Sequence, residues 1–131
     1  MTERPVLIAV VDDEESVVRA LHRLFRSAGL DVLAFCNGRA FLDAMAERRF
    51  DCVVLDLHMP DVDGFEVQAR LAEAGAGIPQ VIITGHDTPE SYRRAIDGGA
   101  SAYLRKPVDG PTLLQTIEAL VSGKASSDFN P

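Results

Sequence analysis

Short apolar runs alternate with amphipathic segments along this chain, and the alternation repeats about five times. The first run, residues 5–11, is a continuous run rich in β-branched residues, as expected for a strand buried on both faces of a sheet. The predicted strands are residues 5–11, 31–35, 51–56, 80–84 and 102–104. A strict alternation of strand and helix predicts a parallel sheet with helices on both faces and right-handed crossovers.

The segments between the runs carry apolar residues at helical spacing. Within residues 14–28, Val17, Leu21 and Phe25 fall on one face, and Gly29 follows as a stop signal. The predicted helices are residues 14–28, 39–47, 65–74, 89 up to Gly98, and 109 or 110 to 121. Because no linker interrupts them, we expect one domain over residues 1–121, followed by a polar tail or linker start at 122–131.

Composition and charge exclude several classes of protein. A length of 131 residues with 47% hydrophobic and 25% charged residues is typical of one soluble globular domain. The net charge of −7 repels phosphates, so we expect no direct nucleic-acid binding. No apolar run approaches the ~20 residues of a membrane helix, which predicts a cytoplasmic protein without membrane contact. We expect Cys36 and Cys52 to be buried, free thiols.

Polar residues follow the predicted strands at the point where each strand ends. Asp12 and Asp13 follow the first strand, and Asp56, Thr84 and Lys106 follow or end the third, fourth and fifth. The carboxyl ends of parallel strands meet at one edge of a sheet, where ligands bind in such folds. The sequence therefore predicts that three carboxylates, a hydroxyl and an ammonium group converge there.

Three neighbouring carboxylates repel one another and call for a cation. Oxygen ligands suit Mg²⁺, with Mn²⁺ as a substitute, and no cysteine–histidine cluster offers a tetrahedral zinc site. A carboxylate beside a hard cation and a lysine is suited to nucleophilic attack on phosphorus, which gives an acyl phosphate. Asp56 is the expected nucleophile because it is central and leads into a loop, and Asp12 and Asp13 are the expected metal ligands.

Several motifs, in this order and on these elements, closely resemble those of response-regulator receiver domains of two-component signalling. They are Val-Asp-Asp-Glu at 11–14, DLHMPDVDG at 56–64, Thr-Gly-His-Asp at 84–87 and Lys-Pro at 106–107. The resemblance covers roughly residues 5–121. It implies a three-layer, flavodoxin-like (βα)5 sandwich whose five-stranded parallel sheet has the order 2-1-3-4-5.

The resemblance also implies roles for the residues of the motifs. Asp56 is the phosphoacceptor, and Mg²⁺ is bound by the side chains of Asp13 and Asp56, by the backbone carbonyl of His58 and, partly through water, by Asp12. Lys106 holds a phosphoryl oxygen, and the peptide bond from Lys106 to the proline at 107 is cis.

The remaining implications concern switching and partners. Thr84 is the switch hydroxyl, and Tyr103 is the aromatic residue that changes rotamer with it. The donor is a sensor histidine kinase, and phosphorylation shifts the surface formed by the fourth and fifth helices and the strand between them, where a homodimer can form. The chain is a signalling switch rather than a turnover enzyme.

The segments 84–87 and 59–61 resemble receivers of nitrogen-fixation-type transcriptional regulators. Those proteins carry a helix-turn-helix output domain, and this sequence has none, which fits either a separated or a free-standing receiver. At His58 that subgroup commonly has arginine, so this position departs from its pattern.

Simpler interpretations of the same residues stay open at this stage. Asp12 and Asp13 could only cap the first helix, where acids favour the positive end of the helix dipole. Thr84 could be an ordinary strand-end residue, and Tyr103 could belong to the core or to an interface. His22 and His86 look like isolated, solvent-facing histidines.

Three rival functions share this fold or chemistry. A haloacid-dehalogenase-type phosphatase needs a second aspartate two residues after the nucleophile, where this chain has His58. A flavodoxin-like binding module needs a Ser/Thr/Gly-rich loop after the first strand, where this chain has acids. A receiver-like scaffold that no longer accepts phosphate would have lost reactive residues that are present here.

Overall fold

Five strands and five helices alternate in the computed structural model of the chain, which describes residues 5–122. The strands are β1 Leu7–Val11, β2 Asp31–Phe35, β3 Cys52–Asp56, β4 Gln80–Thr84 and β5 Ala102–Arg105. The helices are α1 Glu15–Ser27, α2 Gly38–Met45, α3 Gly64–Ala74, α4 Pro89–Asp97 and α5 Gly110–Ser122. Residues 123–131, most of the predicted tail, lie outside the described part of the chain.

All strand pairs are parallel, and the order across the sheet is β2-β1-β3-β4-β5. This is the order that the family resemblance implies, and the three-layer flavodoxin-like prediction is confirmed. The order in which strands are added to the sheet reverses between β1 and β3, because β2 lies on one side of β1 and β3 lies on the other. A ligand site is expected beyond the carboxyl ends of these two central strands.

Helices cover both faces of the sheet and enclose two apolar clusters. Alternate residues of the central strands point to opposite faces, so Ala9 belongs to one cluster and Ile8 to the other. The first cluster includes buried residues of α2, α3 and α4, and the second includes buried residues of α1 and α5. None of the helices within residues 5–122 is long and apolar enough to cross a bilayer.

Side-chain caps explain where three of the helices begin. Asn37, Asp63 and Thr88 each accept a hydrogen bond from the backbone N–H three residues further on, at 2.8–3.0 Å. Such a bond satisfies an N–H group of the first turn that has no partner within the helix.

The structure corrects several details of the sequence-based prediction. β1 begins at Leu7 rather than at residue 5, and α5 continues to Ser122. Cys52 is buried and free as predicted, but Cys36 is exposed, so the prediction of burial was wrong for it. The reason is that Cys36 follows the last residue of β2, an edge strand, where the helical layers no longer cover the chain.

Gly64 allows the loop after β3 to fold back against the strand end. A Cβ atom at this position would lie 2.5 Å from the carbonyl oxygen of Asp56 and 2.7 Å from the Cα of Leu57. Both atoms belong to the backbone, so they cannot move aside as a flexible side chain could. We expect Gly64→Ala to lower the free energy of unfolding by about 1–3 kcal/mol in urea titrations.

Gly85→Ala is the matched control for this substitution. The nearest atom to a Cβ at Gly85 is the Cδ of Lys106 at 3.9 Å, an ordinary contact. The control should change the free energy of unfolding by no more than about 1 kcal/mol. Equal losses in the two variants would mean that the close approach at Gly64 is unimportant.

Candidate functional site

The ends of β1 and β3 bring three carboxylates together. Val11 is in register with Leu55, so the next residues along the two strands, Asp12 and Asp56, are neighbours at the edge of the sheet. Asp12, Asp13 and Asp56 each offer an oxygen atom, and these three atoms lie within 4.8 Å of one another. The structure therefore unites the three acids that the sequence predicts as one cluster.

Lys106, from the end of β5, reaches this cluster with its ammonium group. Its Nζ lies 3.0 Å from Oδ2 of Asp12 and 3.5 Å from Oδ1 of Asp56. Its shortest contact, 2.6 Å, is with Oε1 of Glu14, which the sequence analysis did not single out. Glu14 stands in the same acidic run as Asp12 and Asp13, and that run was the available signal.

Burial and mutual repulsion make the cluster costly when it is ionised. Asp56 is only 3% exposed and Asp12 is fully buried. Burial, followed by the charge of Asp12, raises the pKa of Asp56 to about 6, although Lys106 opposes the shift. Burial also raises the pKa of Asp12 above its ordinary value. One lysine does not offset these carboxylates completely, so the site retains an attraction for a further cation.

The lysine itself stays charged. Burial alone would lower the pKa of Lys106, but the hydrogen bond to Glu14 and the contacts with Asp12 and Asp56 outweigh it and raise the pKa. The same hydrogen bond lowers the pKa of Glu14. A fixed positive charge beside Asp56 is thus available to a bound anion.

The donor atoms of the cluster fit a hard divalent cation. Oδ1 of Asp12 accepts a hydrogen bond from the backbone N–H of Glu14, whereas its buried Oδ2 accepts none and has only the ionic contact with Lys106. A buried oxygen without a hydrogen bond is expected to have another partner, such as an ion or its water shell. Carboxylate and carbonyl oxygens are the ligands that Mg²⁺ prefers.

Thr84 ends β4, the strand next to β3, and Tyr103 lies on β5, the neighbour of β4. Thr84 is fully buried, and its Oγ1 accepts a hydrogen bond from the backbone N–H of His86 at 3.0 Å. Tyr103 is half-buried, donates its hydroxyl proton to Oδ1 of Asp87 at 2.9 Å and packs edge-on against Tyr92. Burial and this hydrogen bond raise the pKa of Tyr103 to about 12. Both hydrogen bonds thus lead to residues 86 and 87, beyond the end of β4, and not to an acid of the cluster.

A cleft of about 300 Å³ opens beside the cluster. The residues that line it are Asp13, Glu14, Asp56, His58, Gly85, His86 and Lys106. His58 is exposed, and its ring centroid lies 5.1 Å from that of His86. His86 is exposed as expected, but it is not isolated. Its position two residues beyond β4, like that of His58 beyond β3, was the signal that the sequence analysis missed.

The described Lys106–Pro107 peptide bond is cis. A comparison with protein families then decides to which family the chain belongs. The family model of the response regulator receiver domain matches residues 8–118. The chain belongs to this family. It is a receiver domain of the kind found in two-component response regulators.

Individual relatives agree with this assignment. TmoT, a response regulator protein of Ectopseudomonas mendocina, is 38% identical over 117 residues, which are 89% of this chain and 53% of TmoT. A response regulator receiver protein of Burkholderia phymatum of known structure is 41% identical, with a TM-score of 0.79 over 91% of this chain and 96% of that one. This receiver domain spans about half the length of the curated relatives it matches first.

A solved CheY-like receiver domain from Methanospirillum hungatei supports the fold alone. Its TM-score is 0.88 over 95% of this chain and 99% of that chain, at 22% identity. The strand order and the three layers are therefore shared well beyond recognisable sequence similarity.

The raised pKa of Asp56 predicts that, without a divalent cation, the receiver domain loses stability as the pH rises. In the unfolded chain Asp56 ionises near its ordinary pKa of 3.8, whereas in the folded chain its pKa is about 6 because of burial and Asp12. Between these values the folded state binds the extra proton, so the free energy of unfolding falls through roughly pH 4 to pH 6 and stays lower above it. The loss from Asp56 should reach about 1–3 kcal/mol.

Urea unfolding of the wild type and of Asp56→Asn across this pH range, in the presence of a chelator, measures the effect. The variant should be the more stable of the two above pH 6, and the difference should vanish near pH 4. Asp43→Asn, which alters an exposed acid of α2, serves as the control. A pH-independent difference between wild type and Asp56→Asn would show that Asp56 ionises normally.

Proposed function

We propose that this receiver domain accepts a phosphoryl group on Asp56 from a phosphohistidine of a partner sensor histidine kinase, with Mg²⁺ bound. The observation that carries the proposal is the position of Asp56 at the end of the central strand β3, within 3.5 Å of Lys106 and within the cluster of Asp12 and Asp13. A carboxylate nucleophile, a cation site and a fixed ammonium group are the parts that aspartyl phosphorylation requires.

The residues have separate tasks in the proposed transfer. A carboxylate oxygen of Asp56 forms the new bond to phosphorus, and the bond from phosphorus to the donor's imidazole nitrogen breaks. Lys106 holds a phosphoryl oxygen and so neutralises part of its charge. Asp13, Asp56 and the backbone carbonyl of His58 hold Mg²⁺, or Mn²⁺ in its place, and Asp12 acts partly through water. The metal supplies further charge neutralisation on the phosphoryl oxygens.

Thr84 and Tyr103 are proposed to read out the modification. Thr84 Oγ1 would exchange its present bond to the N–H of His86 for one to a phosphoryl oxygen, and Tyr103 would leave Asp87 and change rotamer. Such a step shifts a two-state equilibrium of the surface formed by α4, β5 and α5. Tyr92 and Ile96 are 50% and 40% exposed on α4, which favours this surface for a homodimer or another protein partner.

The receiver domain acts as a signalling switch, and we propose that its only chemistry is the gain and loss of its own phosphoryl group. His58 stands where a haloacid-dehalogenase-type phosphatase has its second aspartate, which argues against turnover of small phosphomonoesters. We place the protein in the cytoplasm, without direct contact with nucleic acid or membrane. The curated relatives TmoT and TodT extend well beyond the part that matches this chain. We propose control of transcription through a domain outside the matched part or through a partner.

Acetyl phosphate tests the proposed function without knowledge of the kinase. The chain should gain one phosphoryl group when Mg²⁺ is present and none when a chelator removes it, as read by intact mass. The mark should survive acid and be lost in base, as expected of an acyl phosphate. Labelling that is independent of the divalent cation, or a mark stable to base, would contradict the proposal.

A further inference from the structure

The imidazole rings of His58 and His86 lie at the edge of the sheet, each on the loop that follows a strand. β3 ends at Asp56 and β4 ends at Thr84, and these strands are neighbours in the sheet. His58 and His86 each stand two residues beyond the end of a strand, and the two parallel strands end at the same edge of the sheet. Both are exposed, and both line the cleft that Asp13 and Asp56 also line.

Neighbouring groups restrain the two rings. The ring of His58 stands edge-on to Phe65 with 6.5 Å between the centroids, and the guanidinium group of Arg94 lies 3.9 Å from the centroid of Phe65. His86 is tied to the sheet through its backbone N–H, which bonds to Thr84 Oγ1. The contact with Phe65 holds the ring of His58, and the hydrogen bond holds the backbone of His86. Both lower the entropy that ordering the site around an ion would otherwise cost.

The separation of the rings suits chelation of a single metal ion. With a metal–nitrogen bond of about 2.0–2.1 Å, a tetrahedral ion places two coordinated imidazole centroids about 5.2 Å apart. The centroids of His58 and His86 are 5.1 Å apart, with 64° between the ring planes. The carboxylates beside them add a negative field that concentrates cations in the cleft.

We propose that His58 and His86 form a binding site for a borderline divalent cation of the Zn²⁺ class, distinct from the oxygen-only site of Asp12, Asp13 and Asp56. Imidazole nitrogen suits Zn²⁺, Ni²⁺ and Cu²⁺, whereas Mg²⁺ prefers oxygen. Among residues 5–122, the three aspartates are the one group of three acid, histidine or cysteine ligands within 4.8 Å of one another. Solvent water therefore completes the coordination of the ion bound by the two histidines.

Calorimetric titration of Zn²⁺ into the full chain, saturated with Mg²⁺ and unphosphorylated, tests the site. The wild type should bind one Zn²⁺ per chain. His86→Gln should weaken this binding by roughly 10-fold or more, because it removes one of two nitrogen ligands. His22→Gln is the matched control, since His22 is the third histidine of the chain, exposed on α1. This control should bind Zn²⁺ as the wild type does.

Two further measurements separate the histidine pair from the acidic cluster. The affinity of His86→Gln for Mg²⁺, measured by the shift of the urea midpoint, should equal that of the wild type. This result would also show that the variant is folded. Asp13→Asn should lose Mg²⁺ affinity and keep Zn²⁺ binding. The proposal is overturned if the wild type binds no Zn²⁺ in excess Mg²⁺, if His86→Gln and His22→Gln bind it equally, or if Asp13→Asn alone abolishes binding. None of these readings depends on phosphorylation of Asp56.

Discussion

Asp56→Asn is expected to reduce phosphoryl incorporation from acetyl phosphate, or from a phosphorylated histidine kinase, by about 10³-fold or more. An amide has the size of a carboxylate but does not attack phosphorus, so the new bond cannot form. We expect that the other acids of the cluster do not replace Asp56, because Asp12 is fully buried and Asp13 is a proposed metal ligand. Intact mass after incubation in excess Mg²⁺ gives the yield directly.

The loss cannot be attributed to unfolding, because removal of the buried charge of Asp56 should stabilise the domain above pH 6. Asp43→Asn on α2 is the matched control and should label as the wild type does. A full yield from Asp56→Asn would place the mark on another residue, and peptide mapping would then identify it. Such a result would contradict the proposed phosphoacceptor, whereas the assignment to the family would stand.

Asp13→Asn is expected to weaken Mg²⁺ binding by about 10- to 100-fold. Asp13 is exposed, so its carboxylate can exchange water for the metal, and its oxygen lies within 4.8 Å of oxygens of Asp12 and Asp56. An amide keeps one oxygen ligand but loses the charge. The shift of the urea midpoint with Mg²⁺ concentration measures the affinity, because a ligand that binds only the folded state stabilises it.

Glu15→Gln is the control for Asp13→Asn. Glu15 belongs to the same acidic run, but it is exposed on α1 and its carboxylate faces Arg19 at 3.7 Å. Mg²⁺ should stabilise this variant as strongly as the wild type. If both variants lost affinity to the same extent, the effect would come from net charge rather than from coordination by Asp13.

The spacing of apolar and polar residues along the chain was sufficient to find the strands and helices of the fold. The bounds predicted for β2 and β4 agree with the structure, and the other strands differ by two residues or fewer at either end. Burial on both faces explains this success for the central strands β1, β3 and β4, since apolar β-branched runs have few alternatives. The order of the strands came from the family resemblance, because periodicity does not say which strands are neighbours.

The candidate site likewise has residues that the sequence identified and contacts that only the fold creates. The residues that end the strands were visible in the sequence, and with them the acids, Thr84 and Lys106. The contact of Lys106 with Glu14 joins residues 92 positions apart, and no local signal encodes it. The pairing of His58 with His86 likewise depends on which strands are adjacent and on the rotamers that Phe65 and the loops allow.

The sequence alone determined the alternation of strands and helices, the burial of the central strands and the kind of chemistry available at the strand ends. These follow from short-range periodicity and from residue type. Only the tertiary structure decided which carboxylates share Lys106 and how far burial raises the pKa of Asp56. It also decided that Thr84 bonds to the N–H of His86 and that Tyr103 bonds to Asp87. Those properties depend on register, desolvation and packing between distant segments, which exist only once the chain is folded.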